Sequence, residues 1–179
     1  MNKKVLILSS SPRKGGNSDL LCDEFMRGAR SAGNQVEKIR LTEHNIQFCN
    51  ACGACTKKPG YCPISDDIDK LKDKLVAADV VVLATPVYFY TMSAQLKQFI
   101  DRNAYFYQDV EPKEYYYLMA SADNNKSAMR RVIEEFRGYM ACLGGGHEKG
   151  MVCGTGTWDK GDILGMRAMK DAYELGRQV

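Results

Sequence analysis

The amino-acid sequence predicts an α/β fold: one doubly wound domain in which a parallel sheet carries helices on both faces. Three observations lead there. Short apolar runs alternate with helical patterns along the chain, the signature of βαβ units. The third run, VVVLAT (80–85), is apolar almost without interruption, as a strand covered on both faces must be. The 179 residues show no internal repeat, low-complexity tract or linker, and suit a single domain (1–179) with one well-formed core.

The first strand, VLILS (5–9), follows two lysines and so imitates a secretory signal. Its apolar stretch is shorter than the ~7–15 residues of a signal core, and no A-x-A-like site follows. A polar loop, SSSPRKGGNS (9–18), leads into a helix over 18–32. The second strand is VEKIRL (36–41), followed by a loop (49–62) that carries four of the seven cysteines. The next helix, 66–77, places Ile68, Leu71 and Leu75 on one apolar face. Asp66, Asp67 and Asp69 in its first turn suit the positive end of a helix and need no metal. VVVLAT precedes a helix over 93–104, and YYYLMAS (115–121) precedes one over 126–142. GMVCG (150–154) precedes the last, 162–176, expected to open on Asp162 as N-cap and to close near Gly176. Cys22, Cys142 and Cys153 fall inside these patterns and read as small core residues.

Lys and Arg total 25 and Asp and Glu 22, a net charge of +3. So small an excess supports neither a nucleic-acid patch nor a membrane-binding face. No apolar run approaches the ~20 residues of a membrane span. The expected setting is a reducing cytoplasm, where closely spaced cysteines bind metal or react more often than they form structural disulfides.

In a doubly wound sheet, ligands sit beyond the carboxyl ends of the strands where the strand order reverses, so the loops after strands one and three matter most. The first surrounds a helix N-terminus with hydroxyls, an arginine, a lysine and two glycines. Free amides and the helix dipole make that end an anion site, and glycine lets the backbone approach closely. No G-K-[ST] closes the loop and it is not G-x-G-x-x-G, so it reads as a cradle for a terminal monophosphate. A polar turn capped by Asn17 or Ser18 would have a similar composition. After strand three, Pro86 precedes Tyr88, Phe89 and Tyr90, a surface for a flat conjugated ring, or else aromatic packing between loop and helix.

SSPRKGGNS, the cysteine loop ending CPISDDID, ATPVYFYTMSAQLKQFIDR and the tail GTGTWDKGDILGMRAMKDAYELG together resemble the flavodoxin-like NAD(P)H-dependent FMN reductases, in the branch of the iron–sulfur flavoproteins. The resemblance spans nearly the whole chain. It implies a five-stranded parallel sheet of order 2-1-3-4-5 and bound FMN. Ser11, Arg13, Asn17 and Ser18 would hold the phosphate, with Ser9 and Gly16 alongside. Pro86, Val87, Tyr88, Phe89 and Tyr90 would line the ribityl chain and ring, and Ser121 would close the far side. Ser10 departs from the family, which often has glycine there.

Cys49, Cys52, Cys55 and Cys62 begin with a C-x2-C-x2-C run like that of bacterial ferredoxins, whereas zinc knuckles usually stand a dozen or more residues apart. A 4Fe–4S cluster, free or redox-active thiols, and zinc all remain open. The related iron–sulfur flavoproteins use this compact arrangement for a 4Fe–4S cluster. The expected activity is FMN-dependent NAD(P)H oxidation that passes electrons through such a cluster to a small-molecule or protein acceptor. A cluster-free quinone, flavin or nitro-compound reductase is the alternative enzyme. A flavodoxin-like carrier is a third class, weakened by the +3 balance. No side chain stands out as a general acid or base. The resemblance implies a homodimer or homotetramer, and six aromatics within NAYFYQDVEPKEYYY (103–117) are a candidate interface.

Overall fold

A computed structural model of the chain describes residues 2–179. Strands β1 (Lys4–Ser9), β2 (Gln35–Arg40), β3 (Val80–Pro86), β4 (Lys113–Ala120) and β5 (Gly146–Gly154) form one sheet in the order β2-β1-β3-β4-β5. Every pairing is parallel. This is the flavodoxin-like order implied by the resemblance. The order reverses between β1 and β3, which opens a crevice beyond their carboxyl ends.

Alternation along the strands sorts the core into two halves. Leu6, Leu8, Val81, Leu83 and Tyr117 pack against α3 (Ile68–Ala77), α4 (Ala94–Arg102) and α5 (Arg130–Cys142). Val5, Ile7, Val82, Tyr116 and Leu118 face α1 (Asn17–Ser31) and α6 (Arg167–Arg177) through Leu21, Phe25 and Ala172. A further single turn, α2 (Ala54–Lys57), lies in the cysteine loop. All seven residues of β3 are buried, as its unbroken apolar run requires. Helices α1 and α6 touch through glycine: a Cβ on Gly28 would lie 2.0 Å from the Tyr173 carbonyl oxygen.

Two elements differ from expectation. Strand β5 starts at Gly146, four residues before the apolar signal, because its first half is a solvated sheet edge. The register there shifts between Tyr115 and Tyr116. Helix α6 starts at Arg167 instead of 162, since Gly161 and Gly165 take φ of +95° and +76° and break the helical path. Asp162 does not cap this helix; its carboxylate accepts from the Asp159 N–H at 2.7 Å and closes a turn. The aromatics of 103–117 are mostly core: Tyr105, Phe106 and Tyr115 to Tyr117 are buried, and Tyr107 alone of the six is 40% exposed. Cys22 is buried as expected, but Cys142 is exposed and Cys153 half-buried. Among the described residues no helix is long and apolar enough to cross a membrane.

Candidate active site

The loop joining β1 to α1 is organised from beneath by one buried carboxylate. Asp19 accepts from Ser9 Oγ at 2.7 Å and from the Gly15 N–H at 2.9 Å. It also pairs with Lys38 at 2.9 Å and Arg40 at 2.8 Å. Burial pushes the Asp19 carboxyl up, but hydrogen bonds from Ser9, Lys38 and Gly15 outweigh it and hold the group below its ordinary value. Ser9 thus braces the loop from behind. Gly16 also stands behind it, where a Cβ would sit 2.6 Å from Ser11 Oγ, so only glycine fits. Ser10, the departure from the family pattern, ties the loop to the sheet: its Oγ donates to the Ala84 carbonyl at 2.8 Å and accepts from Ser93 Oγ at 2.9 Å.

At the start of α1 the amides of the first turn have no acceptor within the helix. Beside them the Ser18 hydroxyl is buried and has no hydrogen-bond partner. Asn17, by contrast, is fully engaged. Its Nδ2 donates to the Asp159 carbonyl at 2.8 Å, and its Oδ1 accepts from the Gly161 N–H at 3.0 Å and the Ile163 N–H at 3.3 Å. The Asn17 side chain therefore pins the loop after β5, leaving its backbone N–H for a ligand. Arg13 reaches the same loop, both terminal nitrogens lying 3.3 Å from the Trp158 carbonyl oxygen.

A cavity of about 590 Å³ runs from this helix end to the loop after β3. Ser11, Arg13, Asn17 and Ser18 line it from the loop after β1, Pro86 to Tyr90 from the loop after β3, and Ser121 from the end of β4. Its size falls within the ~300–1,000 Å³ of small-molecule sites. The aromatic end is an antiparallel two-residue turn closed by paired bonds between Tyr88 and Thr91, each 3.0 Å. Phe89 and Tyr90 occupy it at φ of +50° and +63°, a backbone normally left to Asn and Gly. Holding bulky aromatics there costs about 1–2 kcal/mol per residue, strain of the kind that gathers at functional sites. Phe89 is 97% exposed.

The loop after β5 supplies Thr157, Trp158 and Asp159 to the cavity, and the loop after β4 adds Asp123. None of these follows from reading the loops after strands one and three alone. The signal was present as TGTWD in the tail that carried the resemblance. Thr157 is fixed by its N–H and hydroxyl, which donate to the Ser121 carbonyl at 2.9 and 3.1 Å.

The four loop cysteines lie apart from this cavity. Left-handed turns at Ala51 (φ +53°) and Gly53 (φ +70°) fold the segment, and all four cysteines line one small cavity of about 40 Å³. Cys49 and Cys52 are exposed, and Cys55 and Cys62 half-buried. Among the described residues no group of three or more His, Cys, Asp or Glu converges on a single ion position. The acidic residues expected to need no metal are otherwise occupied: Asp66 pairs with Arg102, and Asp67 with Lys70 at 2.8 Å.

The pattern of the NADPH-dependent FMN reductase family matches residues 3–172. The chain belongs to that family. Similar proteins fall where the motifs pointed. An iron–sulfur flavoprotein of Archaeoglobus fulgidus is 39% identical over 99 residues, which is 55% of this chain and 44% of that protein. A putative NAD(P)H-dependent FMN-containing oxidoreductase of Bacillus subtilis is 29% identical over 170 residues, covering 90% of this chain and 89% of its own. The chain spans about half the length of the iron–sulfur flavoproteins it matches. Among solved structures, NAD(P)H:quinone oxidoreductase from Methanothermobacter marburgensis overlays with a TM-score of 0.77 at 18% identity, over 99% of this chain and 97% of that one, a likeness of fold. Membership of this FMN reductase family accounts for the sheet order, and the cavity lies at the carboxyl ends of those strands.

Proposed function

We propose that this FMN reductase family member is an FMN-dependent NAD(P)H oxidoreductase, and that Cys49, Cys52, Cys55 and Cys62 hold a 4Fe–4S cluster. One observation carries the flavin site: a single cavity joins an unpartnered buried hydroxyl at a helix N-terminus to a strained aromatic turn. An anionic phosphate suits Ser18 Oγ, the free amides of α1 and Arg13, and a flat ring suits Tyr88 to Tyr90. Bound FMN would supply a ring able to take hydride from a nicotinamide and pass its electrons onward. The chain's own work is to bind and orient that ring: Asp19 fixes the phosphate loop, Asn17 holds the β5 loop against it, and Ser121 anchors Thr157.

Support for a thiolate-bound cluster comes from the chemistry of the donors: four soft sulfurs line one space and their spacing is ferredoxin-like. Such a cluster would supply one-electron steps. The acceptor is proposed to be a small molecule or a protein, and the assembly the homodimer or homotetramer that the resemblance implies. Anaerobically prepared protein should oxidise NAD(P)H with FMN bound and carry about four irons and four sulfides per chain. Cys52→Ser should remove the iron and leave FMN in place. Iron-free protein with normal turnover would establish the cluster-free reductase instead, and protein that binds no FMN would overturn the proposal.

A further inference from the structure

A buried guanidinium stands where the cysteine loop closes. Arg102, at the end of α4, is 2% exposed and pairs with Asp66, whose side chain is fully buried. Arg102 Nη1 donates to the Gln47 carbonyl at 2.8 Å, and Nη2 donates to the Ile64 carbonyl and to the Asp66 Oδ1, each at 3.3 Å. The Asp66 carboxylate accepts from the Gln47 N–H at 2.8 Å. This pair therefore buckles together the residues just before Cys49 and just after Cys62. Those contacts satisfy a structural role completely. They leave two features unexplained. Arg102 Nη2 lies 3.7 Å from Cys62 Sγ, within N–H···S range, and Arg102 lines the same small cavity as all four cysteines. Its Nε–H is buried without any partner.

We infer that Arg102 is a positioning residue for the redox centre of the cysteine loop, fixing Cys62 and donating a hydrogen bond to its sulfur that raises the centre's reduction potential. This inference rests on the cluster reading above. Reduction adds one electron, delivered from the flavin site in the proposed reaction, and needs no bond change or proton at Arg102. The added negative charge spreads over the ligand sulfurs, and N–H donors to those sulfurs favour the reduced form. Because Asp66 neutralises the guanidinium overall, the effect comes from the proximity of the N–H dipole to sulfur and not from net charge. A lysine offers no planar fork and could not bridge Asp66, two carbonyls and Cys62 at once.

Two variants and one labelled sample test this. Arg102→Lys keeps a cation beside Asp66. Arg102→Met combined with Asp66→Asn removes both charges, so that neither is left buried alone. In anaerobic redox titrations followed by EPR, the iron-loaded fraction of either variant should be reduced at a more negative potential. The expected change is at least tenfold in the reduction equilibrium, about 59 mV for one electron. The flavin potential should stay unchanged. A purely structural role would lower iron content while leaving the potential of the loaded fraction alone, and that result overturns the inference. Pulsed EPR on reduced wild-type protein labelled with ¹⁵N-arginine should show nitrogen coupling that Arg102→Lys abolishes. No coupling in an iron-loaded wild type also overturns it. Wild-type protein that holds no iron after anaerobic reconstitution overturns the cluster reading itself, which separates the two failures.

Discussion

Replacing Ser18 with alanine should move cofactor-free stability and FMN affinity in opposite directions. Ser18 is 1% exposed, and its buried hydroxyl finds no partner within the protein. A buried hydroxyl left unsatisfied costs about 1–3 kcal/mol. Its removal should therefore stabilise the cofactor-free chain, and a gain of about 1 kcal/mol corresponds to roughly 2–4 °C in thermal midpoint for a domain of this size. With FMN bound, the same hydroxyl would donate to an anionic phosphate, a charge-assisted bond of about 1.5–3 kcal/mol. Losing it should raise the Kd roughly 10- to 100-fold. The helix amides and Arg13 remain, so binding should weaken without disappearing. Thermal unfolding of the apoprotein and a flavin fluorescence titration measure the two effects on one sample. An unchanged Kd would remove Ser18 from the phosphate site. A lower apoprotein midpoint would show that the hydroxyl has a partner after all, and the reasoning from its isolation would fail.

Asn17→Ala removes the amide that holds the Asp159 carbonyl and the Gly161 and Ile163 amides, so segment 157–163 should lose hydrogen-exchange protection and FMN binding should weaken; full protection in the variant would refute the tether. Phe89→Asn with Tyr90→Gly installs the pair preferred at this turn, and relief of backbone strain should stabilise the fold by about 1 kcal/mol or more. The same change should slow NAD(P)H oxidation if the aromatics flank the flavin ring, and steady-state kinetics beside a melting curve test both halves. The folded state holds the Asp19 carboxyl below its ordinary value, because hydrogen bonds from Ser9, Lys38 and Gly15 outweigh burial. Its contribution to stability is thus complete above the unfolded value of about 3.9 and disappears as pH falls through the lower folded value. Asp19→Asn should flatten stability against pH in that acid range, and an unaltered acid-unfolding profile would count against the carboxylate as the loop's brace.

How far the sequence reaches depends on whether an interaction is local. The periodicity of Ile68, Leu71 and Leu75 and the unbroken apolar run of β3 report burial on one face or both, which is a property of neighbouring residues. Strands, helices and the two loops rich in Ser, Gly and aromatic residues were legible for that reason. The first half of β5 was not, because a solvated edge strand carries no apolar signal, and its pairing with β4 is specified from the partner. The start of α6 could have been read from Gly161 and Gly165, yet that Asp162 would cap a turn was decided by the path of the loop.

The same division runs through the site. By itself the sequence determined the α/β class, the polar, glycine-rich character of residues 9–18, the crowding of four thiols and, through its motifs, the family. Only the tertiary structure decided which side chains were already occupied. Asn17 proved to be a tether to residues 159–163, Ser9 a brace on Asp19, and Ser18 the hydroxyl left free. It also brought Arg102 from the end of α4 onto Gln47, Ile64 and Cys62, contacts that span up to 55 positions of chain. Composition and spacing say which groups a segment contains. Whether a buried donor or acceptor is satisfied depends on groups that are distant in sequence and become neighbours only when the sheet forms.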